Sequence, residues 1–195
     1  MNLQQVPRYQ KSDNVINHKI TSEYKSIEKI LNLIPKAPLL DIACAEGFLV
    51  WMADRAGFTQ TLGVEIDEGR VLRGRKHLGV NLRANDIYSH LDIIKEFEIF
   101  IISRFFHNVG YEKTVKLMDA INEADDYLLI IKHKPGARKE TGAKREPLAT
   151  RKGINDMLDE YPVEKKSFPG DVILAGRGKY SDVPIMLRKY LPEPA

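Results

Sequence analysis

The stretch that most constrains the fold is Leu39-Leu40-Asp41-Ile42-Ala43-Cys44-Ala45-Glu46-Gly47-Phe48-Leu49-Val50. An apolar run ends in an acid, passes through small residues to a glycine, and changes to helical periodicity from Phe48 to Ala56. That pattern predicts a strand, a tight turn and a helix N-terminus, where backbone N–H groups and the helix dipole face a ligand. Small side chains at Ala43, Ala45 and Gly47 let a ligand come close to the backbone, and Asp41 offers a carboxylate at the strand end. Alanine at either of the first two positions is strained if the turn there requires φ > 0.

The order of the following segments extends the pattern. Thr61 to Glu65 reads as a second strand ending in an acid, 18 positions past Gly47. An acid at the end of the neighbouring strand of an open parallel sheet is placed to accept hydrogen bonds from a ribose. Asn81 to Asp86 offers a third such end. The periodicity predicts a helix over 21–34 stopped by Pro35, then strand 38–43, helix 47–56, strand 60–66, helix 68–77, strand 80–84 and a short helix near 88–94. Strand 98–103, helix 111–123, strand 126–132 and a helix over 151–160 follow. Apolar runs near 171–175 and 183–190, joined by Gly176 to Asp182, read as a closing hairpin. Strands alternating with helices imply right-handed crossovers and a parallel sheet. Residues 1–20 read as an arm or lid, and 21–195 as one domain.

On Asp41 to Gly47, Glu65 and Asp86, the chain resembles the class I S-adenosylmethionine-dependent methyltransferases over roughly Lys36 to Leu191. The first motif of that family reads approximately acid-x-Gly-x-Gly-x-Gly; here Ala43 and Ala45 replace its first two glycines. The resemblance implies a doubly wound, mostly parallel α/β sheet of seven strands, ordered 3-2-1-4-5-7-6, with helices on both faces. It implies S-adenosylmethionine as cofactor, held by Asp41, Ala43, Ala45, Gly47, Glu65 and Asp86, with Glu65 on the ribose and Asp86 near the adenine amine. A dinucleotide site is the rival reading of the turn. It is disfavoured because the glycine set is incomplete and a second nucleotide-binding half is missing.

In this fold the end of the fourth strand faces the transferred methyl, which makes Ser103, Arg104 and His107 the catalytic candidates. Ser103 and Arg104 can hydrogen-bond a substrate, and His107 either acts as a base or sits in a helix cap. No Asn/Asp-Pro-Pro-aromatic motif follows that strand, which argues against base N-methylation by the mechanism using it. Lys132 ends the fifth strand as in ribose 2′-O-methyltransferases of the heat-shock type. Their lysine-aspartate-lysine-glutamate set is incomplete here, with neither an aspartate after the fourth strand nor a glutamate in the last. Glu46 either caps the following helix or meets the cofactor's amine. Cys44 lacks a neighbouring base and reads as a packed small residue, and Trp51 reads as core.

Charge is concentrated in Lys132 to Lys152, with eight Lys/Arg against two Glu, although the whole chain carries only +3. This segment follows the fifth strand and offers Lys132, Lys134, Arg138, Lys139, Lys144 and Arg145 to an anionic acceptor such as RNA; the alternative is a solvated loop. Arg70, Arg73, Arg75 and Lys76 read as a surface group. The 195 residues, 43% hydrophobic and 29% charged, suit one globular domain. A single cysteine excludes an intramolecular disulfide. No apolar run has membrane-spanning length and no signal-like segment opens the chain, so a cytoplasmic location is expected. No His/Cys cluster has metal-ligand spacing. The function expected is methyl transfer to an acceptor that the sequence does not name. The rivals are an inactive cofactor-binding regulatory or scaffold protein and a lyase acting on the same cofactor.

Overall fold

The computed structural model describes residues 7–9, 16–18, 24–133, 150–169 and 171–191. Pro7–Tyr9 (β1) and Ile16–His18 (β2) pair antiparallel as a separate two-stranded ribbon within the expected arm. The domain begins at Lys25–Leu33 (α1), which buries Ile27, Ile30 and Leu31 at helical spacing. Ile34 before Pro35 turns extended and ends the helix.

Leu39–Ile42 (β3), Phe48–Arg55 (α2), Thr61–Glu65 (β4), Glu68–Leu78 (α3) and Leu82–Ala84 (β5) then alternate. Two 3₁₀ segments, Ile87–Ser89 and Leu91–Glu96, take the place of the short helix expected near 88–94. Ile99–Ser103 (β6), Phe106–Val109 (α4), Tyr111–Asn122 (α5), Tyr127–Lys132 (β7) and Arg151–Leu158 (α6) follow. Glu164–Phe168 (β8), Val172–Arg177 (β9) and Val183–Leu187 (α7) complete the described chain.

The seven strands are ordered β5-β4-β3-β6-β7-β9-β8, which is 3-2-1-4-5-7-6 counted from β3. The pairs β3–β4, β3–β6, β4–β5 and β6–β7 are parallel, and β9 runs antiparallel to both β7 and β8. The central strands are buried along their length, as strands covered on both faces must be. Leu40, Ile42, Phe100, Ile102, Leu129 and Ile131 pack with α5, α6 and the 3₁₀ segments. Leu39, Ile99, Ile101, Leu128 and Ile130 pack with α1, α2 and α7 on the other face.

The closing hairpin differs from the expected one. Its strands are β8 and β9, and the run expected as its last strand, 183–190, begins as α7. Pro184 occupies the first turn of α7, where its missing N–H costs nothing, whereas inside a sheet it would break the ladder. Glu-Lys-Lys-Ser-Phe forms β8 because an edge strand needs little apolar surface and tolerates charge.

Candidate functional site

Alternation along the strands puts Asp41, Glu65, Ser103 and Lys132 on one face of the sheet, that of α1 and α2. All four stand at or near the C-terminal ends of parallel strands, where ligands of open α/β sheets bind. The turn between β3 and α2 folds back under them. Gly47 N–H bonds the Cys44 carbonyl at 2.8 Å, and Trp51 N–H bonds the Gly47 carbonyl at 2.9 Å. Ala43, Ala45 and Gly47 have φ of 58°, 52° and 77°.

The two alanines are therefore strained, at a cost of about 1–2 kcal/mol each in the left-handed region. Ala43→Gly and Ala45→Gly should each stabilise the fold by about 0.5–1 kcal/mol, after subtracting the extra freedom glycine gives the unfolded chain. That is a rise of about 1–4 °C in Tm. Melting curves in which both variants fall below the wild type would contradict the strain.

Glu65 is buried and bound into this turn. Its Oε2 accepts Ala45 N–H at 2.9 Å, its Oε1 accepts Asp67 N–H at 3.1 Å, and the Arg70 guanidinium stands 3.9 Å away. Each carboxylate oxygen has two acceptor sites, so capacity for ribose hydroxyls is left. Asp86 lies two residues past β5 and accepts Tyr88 N–H at 3.0 Å, starting the 3₁₀ turn. Ile66, 71% exposed beside Glu65, is an apolar surface at the same strand end that sequence reading missed. Its signal was available: an isoleucine placed between the strand's acid and the helix-capping Asp67.

Asp41 is 1% exposed, and among the described residues neither of its carboxylate oxygens has a hydrogen-bond partner. Burial, and secondly the neighbouring Glu65, push its carboxyl well above the usual carboxylate range. Burial also pushes the Cys44 thiol far up, which leaves it an inert packed side chain. Glu46 neither caps α2 nor stands alone. Its Oε1 accepts from Arg73 at 3.2 Å, tying the turn to α3.

The basic residues of α3 are the surface group expected, with Arg70, Arg75 and Lys76 exposed and Arg73 half-buried, and three of them also reach partners. Arg70 faces Glu65, Arg73 holds Glu46, and Arg75 donates from Nε to the Leu82 carbonyl at 3.1 Å. The long side chains reach back over the turn because α3 packs directly on it. Gly74 makes this possible: a Cβ there would stand 2.3 Å from the Glu46 carbonyl oxygen.

A second cluster lies at the ends of β6 and β7. Ser103 is paired in register with Lys132, and Arg104 N–H donates to the Lys132 carbonyl at 2.7 Å. Lys132 is buried, its Nζ 5.9 Å from the centre of the Tyr24 ring, which meets Phe48 edge-on at 5.1 Å. Burial, then the Arg104 cation, lowers the Lys132 ammonium from its ordinary value, against an opposite pull from Asp171. On the other face Arg151 donates from Nε to His133 Nε2 at 3.3 Å and from its guanidinium to Asp171 at 3.2 Å. Burial is the largest influence on His133 and moves its imidazole below its usual value.

Arg104 and Asp171 have φ of 56° and 59°. The described non-glycine residues with positive φ thus fall in two places, the β3–α2 turn and this cluster. His107 lies in α4, but its side chain is outside the described part, as are Lys134, Arg138, Lys139, Lys144 and Arg145. His133 was legible in sequence as the residue after a strand-end lysine. Arg151 and Asp171 were not, because only the fold brings them to it. A separate open groove of about 710 Å³ runs between residues 91–96 and α5, and none of these strand-end residues lines it.

No protein-family model and no curated protein matches the sequence. Solved structures do match. A candidate SAM-dependent methyltransferase from Streptococcus mutans is 11% identical at a TM-score of 0.59, over 83% of this chain and 51% of that one. The chain thus spans about half the length of that protein. A SAM-dependent methyltransferase from Archaeoglobus fulgidus is 16% identical at 0.57, over 75% and 70%. An RNA methyltransferase from Salinibacter ruber, solved with S-adenosylhomocysteine, is 15% identical at 0.54, over 82% and 95%. At these identities the likeness is one of fold, and the fold is that of the class I S-adenosylmethionine-dependent methyltransferases.

Proposed function

We propose that this chain transfers the methyl group of S-adenosylmethionine to an anionic acceptor, with RNA the leading candidate. The observation that carries the reading is the β3–α2 turn, whose left-handed residues adjoin a buried Asp41 carboxyl that has no partner among the described residues, with Glu65 bound to Ala45 of the turn. These residues fit the cofactor. Asp41 offers a counter-charge to a cation, Glu65 retains acceptor sites for ribose hydroxyls, Asp86 follows the third strand, and Ile66 supplies an apolar surface. When bound, the cofactor supplies an electrophilic methyl on a sulfonium, so positioning the acceptor's nucleophile accounts for much of the catalysis.

The acceptor's side of the site would be built by Ser103, Arg104 and Lys132. Lys132 and Arg104 bring positive charge to the strand ends, and the segment 134–149 continues it in sequence with five Lys/Arg against two Glu. That the Salinibacter ruber neighbour is an RNA methyltransferase agrees with an RNA acceptor. The test is incubation with methyl-labelled cofactor against fractionated RNA, protein and metabolites. Label in RNA with S-adenosylhomocysteine as co-product is expected. Methylthioadenosine with homoserine lactone would make the protein a lyase, and bound but unconverted cofactor would make it a regulatory binder.

Neutralising Lys139, Lys144 and Arg145 together should weaken RNA binding and leave cofactor affinity nearly constant. For single-stranded RNA, the slope of log affinity against log salt should fall by about 0.7 for every phosphate that the variant no longer neutralises. An unchanged slope would return the segment to a solvated connection.

A further inference from the structure

The two carboxyls at the turn are equipped differently. Glu65 has N–H donors from Ala45 at 2.9 Å and Asp67 at 3.1 Å, with Arg70 at 3.9 Å. Asp41, deeper in the sheet, has no donor on either oxygen among the described residues. A carboxylate buried without a donor is costly, and the neighbouring Glu65 adds to that cost, so the Asp41 carboxyl is held well above the usual carboxylate range.

We propose that Asp41 is protonated in the ligand-free protein and gives its proton to solvent when a cationic group enters the turn, so that cofactor binding is proton-coupled. This rests on the reading of the turn as the S-adenosylmethionine site, where the entering cation is the ligand's ammonium or sulfonium. The step balances simply. The Asp41 O–H bond breaks, the proton passes to buffer, and the carboxylate left behind faces the ligand's positive charge; no electrons are transferred.

The described surroundings of Asp41 supply no substitute cation. At its own level its neighbours are Gly63 on β4 and Ile101 on β6. From the turn come the Cys44 thiol and Glu46, the latter held by Arg73 of α3 at 3.2 Å. The first turn of α2, Phe48 to Trp51, is apolar, and α1 brings Tyr24 against Phe48. Lys132 shares the face but stands two strands away, in register with Ser103. The charges that act on Asp41 are therefore those of Glu65 and the turn, and the Glu65 charge pushes its carboxyl in the same direction as burial.

Two measurements test this. In the ligand-free protein, a carboxyl whose folded pKa is raised supports stability below its unfolded pKa of about 3.9, and that support is lost as pH rises through the folded value. Asp41→Asn should therefore melt above the wild type, with a gap that widens as pH rises from about 4 until the folded pKa is passed. Parallel curves with a constant gap would overturn the proposal.

The second measurement is calorimetry of S-adenosylhomocysteine near pH 6 in two buffers of different ionisation enthalpy. It should show about one proton released per ligand, and affinity should rise by up to about tenfold per pH unit while Asp41 remains protonated. Adenosine, without the ammonium, should release none, and Asp41→Asn should abolish the release. Tight binding with no proton release overturns the proposal and leaves the methyltransferase reading standing. If S-adenosylhomocysteine does not bind, that reading fails, and the melting curves still decide the proton. Should Asp41→Asn not fold, the proton count of the wild type decides alone.

Discussion

Replacing Glu65 with alanine is expected to weaken S-adenosylhomocysteine binding by about 1.5–3 kcal/mol, roughly ten- to 150-fold in Kd. The same carboxylate closes the turn onto Ala45 and, on the present reading, accepts from the ribose, so the variant loses an internal and an external hydrogen bond together. Glu65→Gln separates the two. It keeps an oxygen for Ala45 N–H but loses the charge, and should fall between wild type and alanine. Calorimetry showing unchanged affinity in a folded Glu65→Ala protein would remove Glu65 from the cofactor site.

Gly74→Ala should destabilise the fold by about 2–3 kcal/mol, the scale of an overpacked core. In an ordinary helix interior the same change stabilises by about 1 kcal/mol, so the sign itself is diagnostic. The added Cβ would meet the Glu46 carbonyl oxygen at 2.3 Å and Leu82 Cδ1 at 2.6 Å. The first of these is backbone of the β3–α2 turn and cannot swing aside, so α3 must move off it. Gly69→Ala on the same helix is the control, because there the Cβ meets the ends of the Asp67 and Arg73 side chains at 3.1 and 3.3 Å. Denaturation that leaves both variants equally stable would show that α3 does not bear on the turn as described.

The strands β3, β4, β6 and β7 were legible because continuous apolar runs bounded by turn residues have few other uses. Their order came from the resemblance and matches the sheet. The end of the domain was not legible. Val183 to Leu187 is short and apolar, which suits a strand or a buried helix turn equally, and β8 has too little apolar surface to signal a strand. The pairing of Glu46 with Arg73 was not legible for a related reason. Whether a charged side chain faces water or a partner depends on what packs against it, and Glu46 and Arg73 are 27 positions apart.

Sequence by itself determined the alternation of elements, the small residues of the β3–α2 turn and the acids at three strand ends. Each of these is written in side-chain size and polarity over a few neighbouring positions. Tertiary structure alone decided that Ala43 and Ala45 take left-handed φ, that Glu65 is tied to Ala45 while Asp41 has no partner among the described residues, and that His133 meets Arg151 and Asp171. Those outcomes depend on distances between residues about 20 to 40 positions apart, which are set by how the strands pair and the helices pack.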